Sequence, residues 1–316
     1  MATDSKHGTI HVDRTLTNLS IKFGNGALIA DEVAPRQKVI RDSDSYFIYG
    51  KEDKRVYDAL RARGNESNGI NSFKTSTATY TLQKYALHDD IGYDDVADAD
   101  EALDLKKDAT EYLTNDILVA REKRVADLLT AAATFSTSGN VLALSSTNRW
   151  DDAAFSTTGV PIEKQIDIGK NAIRNAIGIE PNYIVIPAAV SKYVKRDSAV
   201  RELIKYTNNT LLVNGELPPT MWNMKVLIPG SVYDSANHGA AYSGADVWGK
   251  HVLMFYKSPT VSKKMMTLAL TFDGMMRTVK EIDMPLIEST RIEVQEKVNE
   301  KVISDYAGYL LRTVIS

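Results

Sequence analysis

The sequence predicts an α+β fold, and three observations carry that prediction. Residues 107–134 keep a helical periodicity throughout. Residues 161–256 alternate helical and strand-like segments, and the last section, from Thr260, is mostly strand-like. Together they predict a body built from both ends of the chain, with the α/β block inserted in it.

The helix is the organising element. Lys107 to Thr134 reads KDATEYLTNDILVAREKRVADLLTAAAT, without Gly or Pro. Leu113, Ile117 and Ala120 fall at helical spacing, and Leu118, Val125, Leu129 and Ala132 widen the stripe. Asp108, Glu111 and Asp116 lie toward its start, and Lys123 and Arg124 in its second half, which suits the helix dipole. Asp104 is the expected N-cap, but Lys107 three residues later gives no capping box. At about 1.5 Å per residue the rod is roughly 40 Å long, which predicts an elongated subunit. The charged run Arg121-Glu122-Lys123-Arg124 reads as a solvated helix face, with contact to a polyanion as the sharper alternative.

Residues 1–26 carry too little apolar surface to fold alone and read as an arm. Residues 27–40 enter the body, with Pro35 breaking local regularity. Tyr46–Tyr49 and Tyr80–Tyr85 are β-prone and aromatic. They flank a long polar excursion containing Gly50, Gly64 and Gly69, with a short helix expected over Lys54–Arg63. Residues 89–104 contain eight acids and no base.

From Pro161 the pattern changes. Pro161–Ile177 is an amphipathic helix ended by Gly178, and Tyr183–Ile186 is a short buried strand between Pro181 and Pro187. Ala188–Tyr206 reads as a second amphipathic helix. Strands are expected at Met224–Ile228, Val247–Tyr256, Met266–Phe272, Arg291–Val302 and Tyr309–Ile315. The C-terminal strands are expected to pair with the body that holds the long helix.

Composition excludes several classes. The chain has 316 residues, a net charge of −3 and no cysteine. That charge points to neither nucleic acid nor membrane, and without cysteine there is no disulfide scaffold or cysteine-ligated metal. No signal peptide is visible, and no apolar run approaches the roughly 20 residues that span a bilayer.

Motifs for chemistry are weak. Gly244-Ala-Asp-Val-Trp-Gly-Lys-His251 matches most of a phosphate-binding loop, but His251 replaces the hydroxyl residue and a strand follows instead of a helix. The acidic run would suit Ca²⁺ or Mg²⁺ by residue type, yet it lacks EF-hand spacing and reads as a solvated face. A metal-dependent hydrolase using residues 89–104 is carried as the alternative of another class. The five histidines show no ligand spacing, and no nucleophile elbow exists. We therefore expect no catalytic residues, no cofactor and no metal. The candidate site is an assembly interface instead. Lys51, Lys54, Arg55, Arg61, Arg63 and Lys74 of the excursion would rest on Asp89, Asp90, Asp94 and Asp95 of a neighbouring copy. Exposed pairs contribute only about 0–1 kcal/mol each, so they would set register more than affinity.

Six segments, in order and spacing, resemble the major capsid proteins of tailed bacteriophages, the Hong Kong 97-type fold. They are ALIADEVAP (27–35), SYFIYGKED (45–53), YALHDDIGYDD (85–95), GIEPNYIVIP (178–187), VWGKHVLMFY (247–256) and SDYAGYLLR (304–312). The resemblance implies an N-terminal arm and entry to the body over 1–41 and an E-loop hairpin over 42–84. It implies a peripheral domain with the spine helix over 85–154, an axial domain over 155–255 and the rest of the peripheral domain over 256–316. It further implies a homo-oligomer of pentamers and hexamers in an icosahedral shell, assembled in the bacterial host cytoplasm and ending as the virion capsid. Portal, decoration protein and non-specifically contacted double-stranded DNA are the implied partners, without a membrane. The sequence has no long, charged, helical N-terminal extension of the kind that serves some relatives as a fused scaffold, so a separate scaffolding protein, or a segment removed by cleavage, is expected. Some relatives cross-link a loop lysine to a neighbour's asparagine; Lys51, Lys54 and Lys74 are the donors available for that here, with no motif for the acceptor. An encapsulin-like cargo shell is the alternative within the same fold.

Overall fold

The computed structural model describes residues 28–48, 60–61, 63–64, 66, 76–98, 104–207, 217–237, 239–262 and 265–316. The described chain opens with a single helical turn, α1 (Ala30–Val33), then Pro35 and a short strand, β1 (Arg36–Lys38). Next, β2 (Ser43–Ile48) and β3 (Ser76–Thr81) form a two-stranded antiparallel ribbon, in register from Ser43↔Thr81 to Ile48↔Ser76. Tyr46 and Tyr80 from its two strands pack on Phe272, with ring centroids 5.4 and 4.2 Å apart. That small aromatic core fixes the base of the excursion.

β4 (Gln83–Gly92) leads into α2 (Tyr93–Asp98) and then α3 (Leu105–Thr130). The long helix thus starts two residues earlier and stops four earlier than its periodicity predicts. Asp104 is its N-cap, its side chain accepting the Lys107 N–H at 3.2 Å. At the other end Ala131 is extended, and Ala132–Phe135 tighten into a 3₁₀ turn. Ala120, expected in the apolar stripe, is exposed.

A mixed region follows: β5 (Val141–Ala143), α4 (Phe155–Thr158), α5 (Ile162–Ile177), β6 (Tyr183–Val185), α6 (Ala188–Arg196) and α7 (Ser198–Thr207). Gly178 ends α5 at φ +74°, its N–H closing on the Arg174 carbonyl at 2.7 Å. The helix expected over 188–206 is two helices. Asp197 is extended between them, and its carboxylate accepts the N–H groups of Ala199 and Val200, which starts α7.

The remaining strands are β7 (Thr220–Met221), β8 (Met224–Leu227), β9 (Val232–Asp234), β10 (Gly244–Asp246), β11 (Val252–Phe255), β12 (Ala269–Met284), β13 (Ser289–Val302) and β14 (Gly308–Arg312). β11 is shorter than expected because Asp246 to Gly249 turn, with Gly249 at φ +58°.

β9 and β10 pair with each other as a two-stranded antiparallel ribbon, and two larger sheets organise the rest. One has four strands in the order β1-β12-β13-β4; the other has six, ordered β5-β14-β11-β6-β8-β7. In the first, β12 and β13 form a long antiparallel hairpin, and α3 covers one face. Ala109, Leu113 and Ile117 pack there on Ile91, Val279, Ile292 and Val294. β14 departs from expectation. It pairs with β11 and β5 in the six-stranded sheet, not with the sheet under the long helix. The largest core surrounds that six-stranded sheet and extends to Val125 and Leu129 of α3, so the helix bridges both layers.

Candidate assembly interface and its internal clasp

The residues expected to form the docking site fall into three groups. Lys51, Lys54, Arg55 and Lys74 lie outside the described residues. Arg61 and Arg63 are exposed. The acids do not converge. Asp89 and Asp90 are neighbours on β4, so their side chains leave opposite faces of the sheet, whereas Asp94 and Asp95 sit in the first turn of α2. Acids in a first turn are favoured by the helix dipole. Asp90 is engaged within the chain. Arg291 donates Nε to its Oδ1 at 2.6 Å and Nη2 to its Oδ2 at 2.7 Å, and these hydrogen bonds hold the carboxyl below its usual range. Among the described residues no three acidic or histidine side chains group as metal ligands would.

The incomplete phosphate-loop pattern has a structural use. Gly249 allows the turn at positive φ, and Trp248 points inward, buried. Its indole N–H donates to Glu122 Oε1 at 2.5 Å.

Glu122 belongs to the largest departure from the sequence reading. Arg121 and Glu122 are buried, not solvated, so a polyanion-facing role for that pair is overturned. The physical reason is that partners distant in sequence satisfy their charges. Glu122 accepts the Ile29 N–H at 3.1 Å and the Ala30 N–H at 2.7 Å. Those amides open α1 and have no intrahelical acceptor, so the long helix caps the short one through a side chain. Burial pushes the Glu122 carboxyl upward; the bonds from Trp248, Ile29 and Ala30 and the Arg121 charge pull the other way without cancelling it.

Around this clasp runs an ionic network. Arg121 Nη1 donates to Asp31 Oδ1 at 2.7 Å and its Nη2 to Thr271 Oγ1 at 3.2 Å. Arg36 reaches Asp31, Asp273 and Glu296 at 3.1, 3.4 and 3.3 Å. Arg124 meets Glu300 at 3.0 Å and lies 3.7 Å from the centroid of the Tyr85 ring. Burial tends to raise the Asp31 carboxyl, but Arg121 and Arg36 outweigh it and lower the pKa. Segments 29–36, 121–124, 271–273 and 296–300 are thereby tied together, with Trp248 joining from the six-stranded side. A periodic reading does contain a signal for this: Arg121 lies between Leu118 and Val125 on the buried face of α3.

This arrangement offers no nucleophile–base pair. It joins the segment entering the body, the long helix, the long hairpin and the six-stranded layer into one unit. Apolar surface is left open elsewhere, among other places at the turn of the β12–β13 hairpin, where Leu286 is fully exposed and Ile287 is 55% exposed.

No family model matches the chain. Among curated proteins it is 29% identical over 245 residues to the major capsid protein of Burkholderia phage BcepMu, covering 78% of this chain and 76% of the relative. It is 24% identical over 315 residues to the major capsid protein of Pseudomonas phage JBD67, covering 96% and 97%. Among solved structures, a phage-related protein from Bordetella bronchiseptica matches with a TM-score of 0.72 at 20% identity, covering 97% of this chain and 98% of that one. The capsid of cyanophage P-SCSP1u matches at 0.64 and 12% identity, over 90% and 88%. An encapsulin complex from Synechococcus elongatus matches at 0.51 and 13% identity, over 100% and 94%. The curated relatives are phage major capsid proteins, and the chain is similar to them along most of its length. Its fold is α+β of the Hong Kong 97 type.

Proposed function

We infer that the chain is the major capsid protein of a tailed double-stranded DNA bacteriophage, self-assembling into the icosahedral head that encloses the genome. One observation carries this reading: the fold matches phage capsid subunits over nearly the whole chain, and the curated relatives that cover it bear the name major capsid protein. The role is structural, without catalysis. The finer elements of the reading are our own: pentamers and hexamers, assembly in the host cytoplasm, a separate scaffolding protein, a portal, a decoration protein and non-specific contact with packaged DNA. Exposed apolar side chains at Ile40, Leu60 and Leu286 support contacts between copies. So does the expected basic excursion, for which we keep docking on a neighbour's Asp89, Asp90, Asp94 and Asp95, with Asp90 shared with Arg291.

The test is a negative-stain micrograph of the expressed full chain. Closed shells of uniform diameter are expected. A compact monomer that persists at high concentration overturns the reading. Deleting residues 51–74 tests the excursion separately: shells of unchanged size and thermal stability would remove it from the interface. An encapsulin-like cargo shell is favoured only by the lower-scoring encapsulin likeness. Terminase, portal or tail genes beside this one would decide between the two.

A further inference from the structure

We propose that β4 is an interface strand, pairing antiparallel with β4 of a second copy about a local two-fold axis at Leu87. This rests on the shell reading above. Among the described residues, β4 pairs on one side only, with β13, and closes its sheet at that edge. Ten residues of strand thus present a row of unpaired ladder groups, much longer than the three-residue strand at the opposite edge. Such an edge is a template for another strand unless its side chains forbid it.

The side chains of β4 forbid most pairings and permit one. Reading from Gln83 the strand is QKYALHDDIG: one lysine near its start, two aspartates near its end, and Leu87 between them, 40% exposed. A parallel copy would set Lys84 against Lys84 and aspartate against aspartate. An antiparallel copy sets opposite ends together. The register is limited further, because a closed shell presents the same side of every copy inward. The two-fold must therefore stand perpendicular to the sheet, so that α3 lies on the same side in both copies. Residues of one face then oppose residues of that same face, which leaves registers centred on a single residue. Centred on Ala86, Lys84 would meet His88. Centred on His88, the two histidines would meet. Centred on Leu87, Lys84 faces Asp90, Tyr85 faces Asp89, Ala86 faces His88, and the two leucines meet on the axis. Asp90 already binds Arg291 through both oxygens, but a carboxylate has acceptor sites left for a lysine. The combined sheet would be eight strands wide, four from each copy, and Leu87 would leave water.

The chain has no cysteine, so one introduced thiol reports register unambiguously. Directly opposed residues have Cα atoms about 4.5–5.5 Å apart, within disulfide reach, whereas a residue two places out of register lies at about 8 Å. Leu87→Cys, Ala86→Cys and His88→Cys are each assembled into shells as full-length protein, oxidised, and run on non-reducing gels. The expected result is a cross-linked dimer from Leu87→Cys at least about tenfold above either neighbour. The double variant Ala86→Cys/His88→Cys should dimerise as strongly, and it tests the opposite face if Leu87→Cys fails to assemble. A maximum at Ala86 or His88 alone, or no dimer from shells of both Leu87→Cys and the double variant, overturns the proposal. Absence of shells from the unmodified chain is a different result, and it overturns the shell reading beneath.

Discussion

Replacing Glu122 by alanine should be the most damaging single change on α3, and its size follows from what is left behind. The Glu122 side chain is fully buried and accepts three N–H groups: Ile29, Ala30 and the Trp248 indole. A buried donor that loses its acceptor costs about 1–3 kcal/mol, and water entering the vacated space recovers part of that. We expect a loss of about 3–4 kcal/mol for Glu122→Ala, and about 1 kcal/mol for Trp248→Phe, which removes one donor and keeps most of the volume. Glu122→Gln retains one carbonyl oxygen and should fall between. Hydrogen exchange reads the site directly. The Ile29 and Ala30 amides should lose about two orders of magnitude of protection in Glu122→Ala, since 1.4 kcal/mol is tenfold. Urea unfolding at fixed chain concentration supplies the global value. If Glu122→Ala costs no more than Trp248→Phe, or both amides stay protected, the clasp does not hold the entering segment.

Other changes sort by the same physics. Arg121→Ala removes a fully buried guanidinium and its bonds to Asp31 and Thr271, while Asp31 keeps Arg36 and Glu300 keeps Arg124, so it should cost about 2–3 kcal/mol in urea unfolding. Lys123→Ala, two residues along, loses a partly exposed pair with Asp127 and a contact over the Tyr233 ring and should cost about 0.5–1 kcal/mol; equal losses would contradict the burial pattern. Gly159→Ala would place its Cβ 2.5 Å from the Thr147 carbonyl oxygen and 2.6 Å from that of Phe155, backbone atoms that cannot step aside, so a loss of about 2 kcal/mol is expected by thermal melting. His251 has its pKa lowered by burial and then by Arg312, and its Nδ1 accepts the Thr313 N–H at 3.1 Å, which requires the neutral ring. Its contribution is therefore present above the unfolded pKa and lost as pH falls below about 6.5. The melting temperature of His251→Asn should decline less steeply between about pH 6.5 and 5 than that of the unmodified chain.

How much could be read beforehand depended on where each element's partners lie in the sequence. The long helix was legible because Leu113, Ile117, Leu118, Val125 and Leu129 repeat locally and Asp104 is an ordinary cap. β13 starts two residues before its expected Arg291, and its pairing with β12 across a tight turn is a local matter too. β12, however, runs on from the expected Phe272 to Met284, a continuation masked in the sequence because Gly274 and the charged residues after it interrupt the apolar pattern. Arg121 and Glu122 were misplaced because the groups that make their burial tolerable are 90 to 150 residues away. Charged residue types alone give no hint of such partners, and only the phase of the stripe does. The break at Asp197 was legible in principle, since Asp-Ser ahead of an apolar run is a capping signal, but the helical period runs through it almost in phase. β14 pairs with β11 and β5 rather than in the sheet under the long helix, and this was hidden for a different cause. A short apolar strand carries no record of which sheet it completes.

The placement of β14 bears on how a shell subunit holds its shape. A hairpin as long as β12–β13 is a lever, and strain on its exposed turn would rotate it about its root. Two connections at that root resist rotation by different means. The chain leaves β13 and returns at once into the six-stranded sheet as β14, next to its edge strand, a covalent link buried between β5 and β11. Beside it, Glu296 and Glu300 of β13 bind Arg36 and Arg124, whose own segments are anchored to α3. Apolar packing of Ala109, Leu113 and Ile117 on the sheet is non-directional and tolerates sliding, whereas the charge pairs are not satisfied in any other register. Loosening the ionic root should therefore leave folding largely intact while broadening the distribution of hairpin angles. In an assembly that needs every copy alike, that defect would appear as irregular shells before it appeared as a lower melting temperature.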